Sequence, residues 1–371
     1  MARAGLGPGW DCSFANDFDL KKAETYRRNW GAGSELYVSD IRTIDREILP
    51  KQRASLAWGS FPCQDLSLAG NGIGFNGNRS SAFFAFWDVI AALQSRNKTP
   101  DIVAVENVIG AIHAQNGADF QTICRTFSKF GYRFGAFVID ASHFVPQSRK
   151  RIFVVGVRES SNSQYQKLAA PKSGSFFPTS LLNAFEKLPD ELKRDWIWWK
   201  LPELPKREQT LADILEKDDD VVEWHMPEAT QKLVSMMSQV NLKKLDQAKN
   251  EGKRVVGGIY KRTRLDEFGK RTQRAEVRFD EISGCLRTPG GGSSRQIIMV
   301  VQGRSVRTRL ITKRETARLM GLSDTYILPE NYNEAYQLTG DGVVVPVVRF
   351  ISKNIFEPLL ENIGSESVIA A

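Results

Sequence analysis

Histidine and cysteine are scarce in this chain, with 3 and 4 among 371 residues. Cys12, Cys63, Cys124 and Cys285 show neither metal-ligand spacing nor the framework of a disulfide scaffold, and His113, His143 and His225 are scattered. No zinc site and no other metal is expected, and the cysteine usage fits a reducing compartment. The sequence also lacks an apolar run long enough to span a bilayer, an internal repeat and a low-complexity tail. Met1 to Trp10 lacks the charged-then-apolar pattern of a secretory leader. No membrane partner is expected, and the location that follows is cytoplasmic.

What is present is an ordinary globular composition, 42% hydrophobic and 25% charged, in a chain long enough for one large domain or two of moderate size. The formal net charge of +8 invites a polyanionic partner. Its distribution sharpens that expectation, because 12 lysines and arginines crowd between Lys243 and Arg278. A solvated basic face would give the same pattern.

The first part of the chain alternates short apolar runs with amphipathic stretches, as βαβ units do. Strands are expected over Trp10–Ala15, Leu56–Ser60, Ile102–Val105, Phe134–Ile139 and Ile152–Val157, and helices over Leu20–Asn29, Ser81–Leu93 and Phe120–Phe130. The segment Ser160–Phe177 is polar and rich in Gly, Ser and Lys, as a linker is. Beyond it come four tryptophans (Trp196, Trp198, Trp199, Trp224), the basic cluster and a glycine loop from Thr288 to Ser294, the marks of a smaller, loop-rich domain. Regular structure returns at Thr312-Lys313-Arg314-Glu315, which fits a helix capping box. A last apolar element, Gly340–Ile351, is expected to pack back on the first domain. The boundaries drawn are 1–160, 161–305 and 306–371.

Three short segments carry chemistry. Pro62-Cys63-Gln64 follows the strand ending at Ser60, and a proline-backed cysteine is held on a stiff backbone. A thiolate needs positive potential to form, which Arg79, Arg149 or Arg151 would supply if the strand ends converge. Glu106-Asn107-Val108 closes a second strand, where a carboxylate is costly unless it is paired or does work. Gln147-Ser148-Arg149-Lys150-Arg151 leads into a third. Taken singly, Cys63 also fits a buried structural cysteine, and Glu106 also fits an acid pointing to solvent. Together, a nucleophile, an acid and two guanidinium groups form a set suited to attack on an electron-poor ring.

These segments resemble the catalytic motifs of the DNA cytosine-5 methyltransferase family. Asn78-Arg79-Ser80, Arg314-Glu315-x-x-Arg318-Leu319-Met320-Gly321 and Gly340-Asp341-Gly342-Val343 are similar to further family motifs. The likeness runs from about Phe14 to Phe350. It implies an α/β fold, a Rossmann-like S-adenosylmethionine-dependent methyltransferase sheet with a smaller, loop-rich target recognition domain. It implies that Cys63 adds to C6 of a cytosine flipped from DNA, that Glu106 bonds N3 and the exocyclic amine, and that Arg149 and Arg151 steady the ring. Asp17, Phe18, Asp40, Ile41, Pro62, Phe83 and Asp341 would line the cofactor site. Double-stranded DNA is the implied substrate of a monomeric, DNA-associated bacterial or phage enzyme, with a cognate restriction endonuclease as a candidate partner.

One departure stands out. The family opens with a strand and a Phe-x-Gly-x-Gly turn, whereas Met1-Ala2-Arg3-Ala4-Gly5-Leu6-Gly7 resembles the helix after that turn. Loss of a central strand is expected to leave its neighbours without hydrogen-bond partners. Two accounts follow: a start lying upstream of Met1, which the intact later motifs favour, or a truncated, inactive DNA-binding relative. Gly340-Asp341-Gly342 also stands where the family has Gly-Asn-Ser or a close variant.

Overall fold

The computed structural model describes residues 1–61, 81–158, 168–169, 174–217, 221–265, 269–288, 295–361 and 369–370. They fall into two compact units. A sheet unit comprises residues 2–140, 150–203 and 347–371, and a ribbon unit comprises Met1 with residues 141–149 and 204–346.

In the sheet unit, short strands are β1 (Asp11–Cys12), β2 (Ala15–Asp17) and β3 (Leu36–Val38). Longer ones are β4 (Leu56–Ser60), β5 (Ile102–Val108), β6 (Tyr132–Asp140) and β7 (Lys150–Arg158). Ile102 to Val105 and Ile152 to Val155 are buried without interruption, as strands covered on both faces are. The ribbon unit contributes β8 (Arg254–Leu265), β9 (Arg271–Arg278), β10 (Ile297–Gln302) and β11 (Ser305–Leu310), and β12 (Ile369–Ala370) returns to the sheet unit. The main sheet runs β1-β12-β4-β5-β7-β6, parallel as far as β5, with β7 antiparallel to both its neighbours.

Three expectations need correction. The strand drawn over Trp10–Ala15 is two strands, because Ala15 leaves the main sheet to pair with Leu36 while Asp11 and Cys12 stay in it. The strand drawn to Val105 continues to Val108, since Glu106 remains in the ladder opposite Ser60 and Phe153. The expectation of strands left without hydrogen-bond partners does not hold for β1 and β4, because Ile369 faces Asp11 and Ala370 faces both Cys12 and Leu56.

Helices cover the sheet where the apolar period demands it. Ala118–Lys129 buries Phe120, Ile123, Cys124 and Phe127, the i, i+3, i+4, i+7 face. Phe127 meets Trp87 of the helix Ser81–Ser95 edge-on at 4.9 Å. Burial also pushes the Cys124 thiol pKa well up, as befits a packing residue. Residues 174–203 dock on β6: Val138 N donates to Phe176 O, and Ile197 N donates to Phe134 O.

The ribbon unit is an antiparallel sheet in the order β11-β10-β8-β9. Its core joins Ile259, Val277 and Met299 to Leu233 and Leu245 of the helices Pro227–Ser235 and Gln239–Asn250. The helix Lys313–Leu319 carries the expected capping box between Thr312 and Glu315. Tyr332–Asp341 is a further helix, and residues from Val347 onward belong to the sheet unit.

Candidate active site

A carboxylate in the middle of a buried sheet must find a partner or be expelled. Glu106 finds Arg151. In the β5–β7 ladder Glu106 faces Phe153, and Arg151 faces Val108, two positions along. Positions two apart share a face, so the pair meets diagonally, with Arg151 Nε 3.0 Å from Glu106 Oε1. The two side chains are 15% and 9% exposed, respectively. On the other side of β5, Ser60 is the residue opposite Glu106. Cys63 follows Ser60 by three positions in the sequence; Pro62, Cys63, Arg79 and the intervening glycines lie outside the described residues. Asn107 points to the opposite face, where its Oδ1 accepts from Val108 N. Its Nδ2 is buried with no hydrogen-bond partner among the described residues.

Arg149, two residues before Arg151, stands in a different setting. It is buried in the ribbon unit and donates to Leu286 O at 3.1 Å, Gly340 O at 2.8 Å and Gly342 O at 2.7 Å, with Cys285 Sγ at 3.3 Å. Gln147, fully buried, receives Leu286 N on its Oε1 and donates from Nε2 to Leu319 O. Ser148 N and Ser283 N add backbone bonds between the same two segments. Residues 146–149 are thus stitched to 283–286, to the helix at 313–319 and to the 340–342 turn.

The residues proposed for a small-molecule cofactor divide as follows. β2 and β3 are parallel, and Asp17 and Asp40 stand at or just past their carboxyl ends. Asn16 Nδ2 ties the ends together through Tyr37 O and Ser39 O. Asp17 Oδ1 accepts from Asp19 N, and Phe18 beside it is 71% exposed. Asp40 caps a short helical turn, and the side chain and backbone N–H of Arg42 hold its pKa down to about 2. Ile41 packs partly against the cluster of Ile44, Leu49, Val89 and Leu93. Phe83 is fully enclosed against Phe61 and Trp87. Asp341 belongs to the ribbon unit and accepts a hydrogen bond from Thr288 Oγ1.

The profile of C-5 cytosine-specific DNA methylases matches residues 2–357. This chain belongs to that family. The methylase is 25% identical over 348 residues to the Type II methyltransferase M.HhaI of Haemophilus parahaemolyticus, covering 94% of this chain and 88% of the relative. It is 24% identical over 353 residues to the Type II methyltransferase M.Bsp6I of Bacillus sp., covering 94% and 91%. Among solved structures, the Entamoeba histolytica methyltransferase EhMeth superposes with a TM-score of 0.59 at 14% identity, covering 95% and 90%. The methylase therefore has the Rossmann-like methyltransferase fold and is a DNA (cytosine-5-)-methyltransferase whose methyl donor is S-adenosylmethionine.

The residues present fit that donor. An adenosine offers two ribose hydroxyls and an aromatic ring, and open α/β sheets take ligands at the carboxyl ends of their strands. Here two carboxylates and an exposed phenylalanine stand at the carboxyl ends of the parallel pair β2–β3. Gln147 stands in a motif the sequence marks, but its bonds to Leu286 and Leu319, and the place of Cys285 beside Arg149, are not legible there. A glutamine in a short polar run between two buried strands was the available signal for the first, and no local signal marked the second.

Proposed function

We propose that this methylase transfers a methyl group from S-adenosylmethionine to C5 of a cytosine flipped out of double-stranded DNA, with Cys63 as a transient covalent nucleophile. The bound cofactor supplies an electrophilic methyl group on a sulfonium centre. The Cys63 thiolate adds to C6, breaking the C5–C6 π bond and making C5 the nucleophilic carbon. One Glu106 oxygen accepts from the exocyclic amine and the other presents a proton to N3, which stabilises the electron density that moves into the ring. Arg151 fixes the Glu106 carboxylate in position, and Arg149 holds the backbone that carries Arg151. C5 would then take the methyl group, water would accept the C5 proton, and departure of Sγ from C6 would restore the aromatic ring and free the enzyme. Asp17 and Asp40 hold the ribose and adenine side, with Phe18 against the ring.

The observation that carries this reading is the paired, buried Glu106 on the strand beside the one that leads to Cys63. The Type II names of the relatives support a place in a restriction-modification system; within it the enzyme is proposed to act as a monomer beside a cognate endonuclease. Purified protein incubated with duplex DNA and labelled cofactor tests the reaction, and bisulfite sequencing locates the product. Label is expected on cytosine C5, and Cys63→Ser is expected to abolish transfer while retaining DNA binding. Full activity in that variant overturns the assignment.

A further inference from the structure

Two groups of strands carry the chemistry of the sheet unit. β4 pairs along its whole length with β5, which bears Glu106, and leads toward Cys63. β2 and β3 form a sheet of their own, with Asp17 and Asp40 at or just past its carboxyl ends. β1 runs into β2 through Ser13 and Phe14, and among the described residues its one ladder is to β12. β12 therefore joins the two groups. It lies between β1 and β4 and parallel to both, with Ile369 facing Asp11, and Ala370 facing Cys12 on one side and Leu56 on the other.

Aromatic packing bridges the same gap. Phe356, fully buried, meets Trp10 just before β1 and Trp58 of β4, each edge-on at 6.3 Å. Strands two places apart lie about 10 Å from each other, a span that one ring between two indoles covers. The packing of β2 and β3 rests on other contacts. Phe14 stacks on Tyr37 at 5.3 Å, and both pack against the cluster of Ile44, Leu49, Val89 and Leu93. Arg3 reaches Glu35 Oε1 at 2.8 Å. Without β12 these elements keep their packing but lose the backbone ladder that fixes their distance from β4. Ring contacts tolerate a small slide; a ladder does not, because its donors and acceptors must meet at about 3 Å.

Resting on the cofactor site proposed above, we propose that Ile369 and Ala370 are positioning residues for S-adenosylmethionine. By pairing with β1 and β4 they hold Asp17 and Asp40 at the working distance from the strand that leads to Cys63. They act through the backbone. A ladder of two residues opens at small cost, so it closes fully only when a ligand engages both groups of strands. Linkage then requires the converse: a cofactor that prefers the closed ladder protects it.

Calorimetric binding of S-adenosylmethionine and backbone hydrogen exchange, both on the purified full chain, test this. In the parent, cofactor is expected to slow exchange at Cys12 and Leu56. Ala370→Pro removes an amide donor from a strand paired on both sides. It is expected to abolish that protection and to weaken cofactor binding by about tenfold, the worth of one backbone hydrogen bond. Deletion of residues 369–371, which introduces no ring, is expected to match it. Ala370→Ser keeps the N–H and is expected to bind as the parent does. In methyl transfer, KM for the cofactor is expected to rise in the proline variant while kcat is retained. Duplex binding without cofactor, and slow exchange at Ile259 and Met299 in the core of the ribbon unit, are expected unchanged throughout, which a general folding defect would not allow. Unaltered cofactor affinity in both Ala370→Pro and the deletion overturns the proposal, and so does a parent that binds no cofactor. An Ala370→Ser protein as weak as Ala370→Pro overturns it too, by assigning the effect to the side chain. A parent that binds cofactor and protects the ladder, yet methylates no cytosine, leaves the positioning role standing and removes the reaction proposed above.

Discussion

Glu106 and Arg151 meet diagonally across the β5–β7 ladder, Oε1 to Nε at 3.0 Å, on a strand whose other neighbour ends three residues before Cys63. The pair is made by register rather than by sequence proximity. An antiparallel return of β7 brings the second arginine of Gln147-x-Arg149-x-Arg151 onto the same face as an acid 45 positions earlier. A carboxyl group that is both buried and paired is fixed in direction, as a group that must address one edge of a ring requires.

Removing one member of such a pair leaves a buried charge uncompensated, which costs about 3–5 kcal/mol. Arg151→Ala is therefore expected to lower stability by that order and to cut methyl transfer by at least about a hundredfold. Glu106→Gln keeps the shape without the charge. Its amide oxygen can still accept from Arg151 Nε although the counter-charge is gone, so the variant is expected to lose comparable activity with a smaller loss of stability than Arg151→Ala. Urea unfolding and single-turnover transfer on the same duplex separate the two effects; a Glu106→Gln protein with unchanged turnover would remove the acid from the mechanism.

Arg149 is expected to behave differently despite the shared motif. Its guanidinium satisfies the carbonyls of Leu286, Gly340 and Gly342, so Arg149→Met strands two buried acceptors at about 1–3 kcal/mol each and a third that is part-buried. The variant should unfold at distinctly lower denaturant, and Arg149→Lys should recover part of the loss because an ammonium group reaches one or two of the three. An Arg149→Met protein as stable as the parent, yet inactive, would move this residue from support to direct contact with the ring.

The contrast between the two arginines shows what could be read from the residues and what could not. β4, the helices beginning at Leu20 and Ser81 and the Thr312–Glu315 cap are local chemistry, and their boundaries follow from periodicity and capping. The acceptors of Arg149 lie 137 to 193 positions away, a separation at which spacing carries no signal. Phe83, one of the residues proposed for the cofactor side, shares its buried helix face with Trp87 and Ile90, the i, i+4, i+7 set, while Phe84 is the half-exposed ring. That period was present in the sequence. Trp196, Trp198 and Trp199 were grouped with the basic middle by composition, but they lie in the sheet unit, where Trp196 pairs with Phe134.

That docking gives a further expectation. A Cβ on Gly135 would collide with the backbone carbonyl of Ile197, and Trp199 Nε1 donates to Gly135 O at 3.3 Å. Backbone cannot swing aside as a side-chain tip can. Gly135→Ala is expected to cost about 1–3 kcal/mol and to expose the segment around Trp196–Trp199 to limited proteolysis. Unchanged protection of that segment would contradict the close approach.

A pH dependence is expected from His225 in the ribbon unit. Its N–H donates to Thr308 O at 2.8 Å, and its Nδ1 lies 3.0 Å from Thr308 Oγ1. Burial, then the charge of Lys261, lowers its pKa below the ordinary 6.5, with Glu223 opposing. The folded state thus resists a proton that the unfolded chain accepts. Above pH 6.5 both states are neutral and the contribution is complete; as pH falls through 6.5 toward the folded value, the unfolded chain binds the proton first and stability is lost. The lowered carboxyl groups of Glu35, Asp40, Asp213, Asp280 and Asp324 have ordinary values of 4.5 or 3.8. They are shared by parent and His225→Gln, so the difference between the two proteins above pH 5 isolates the histidine. Denaturation midpoints at pH 7.5, 6.0 and 5.2 should decline in the parent more steeply than in His225→Gln. Lys261→Ala should shrink the decline, because it removes one of the two causes of the shift. A constant gap between parent and His225→Gln across that range would show that the imidazole does not titrate differently in the two states.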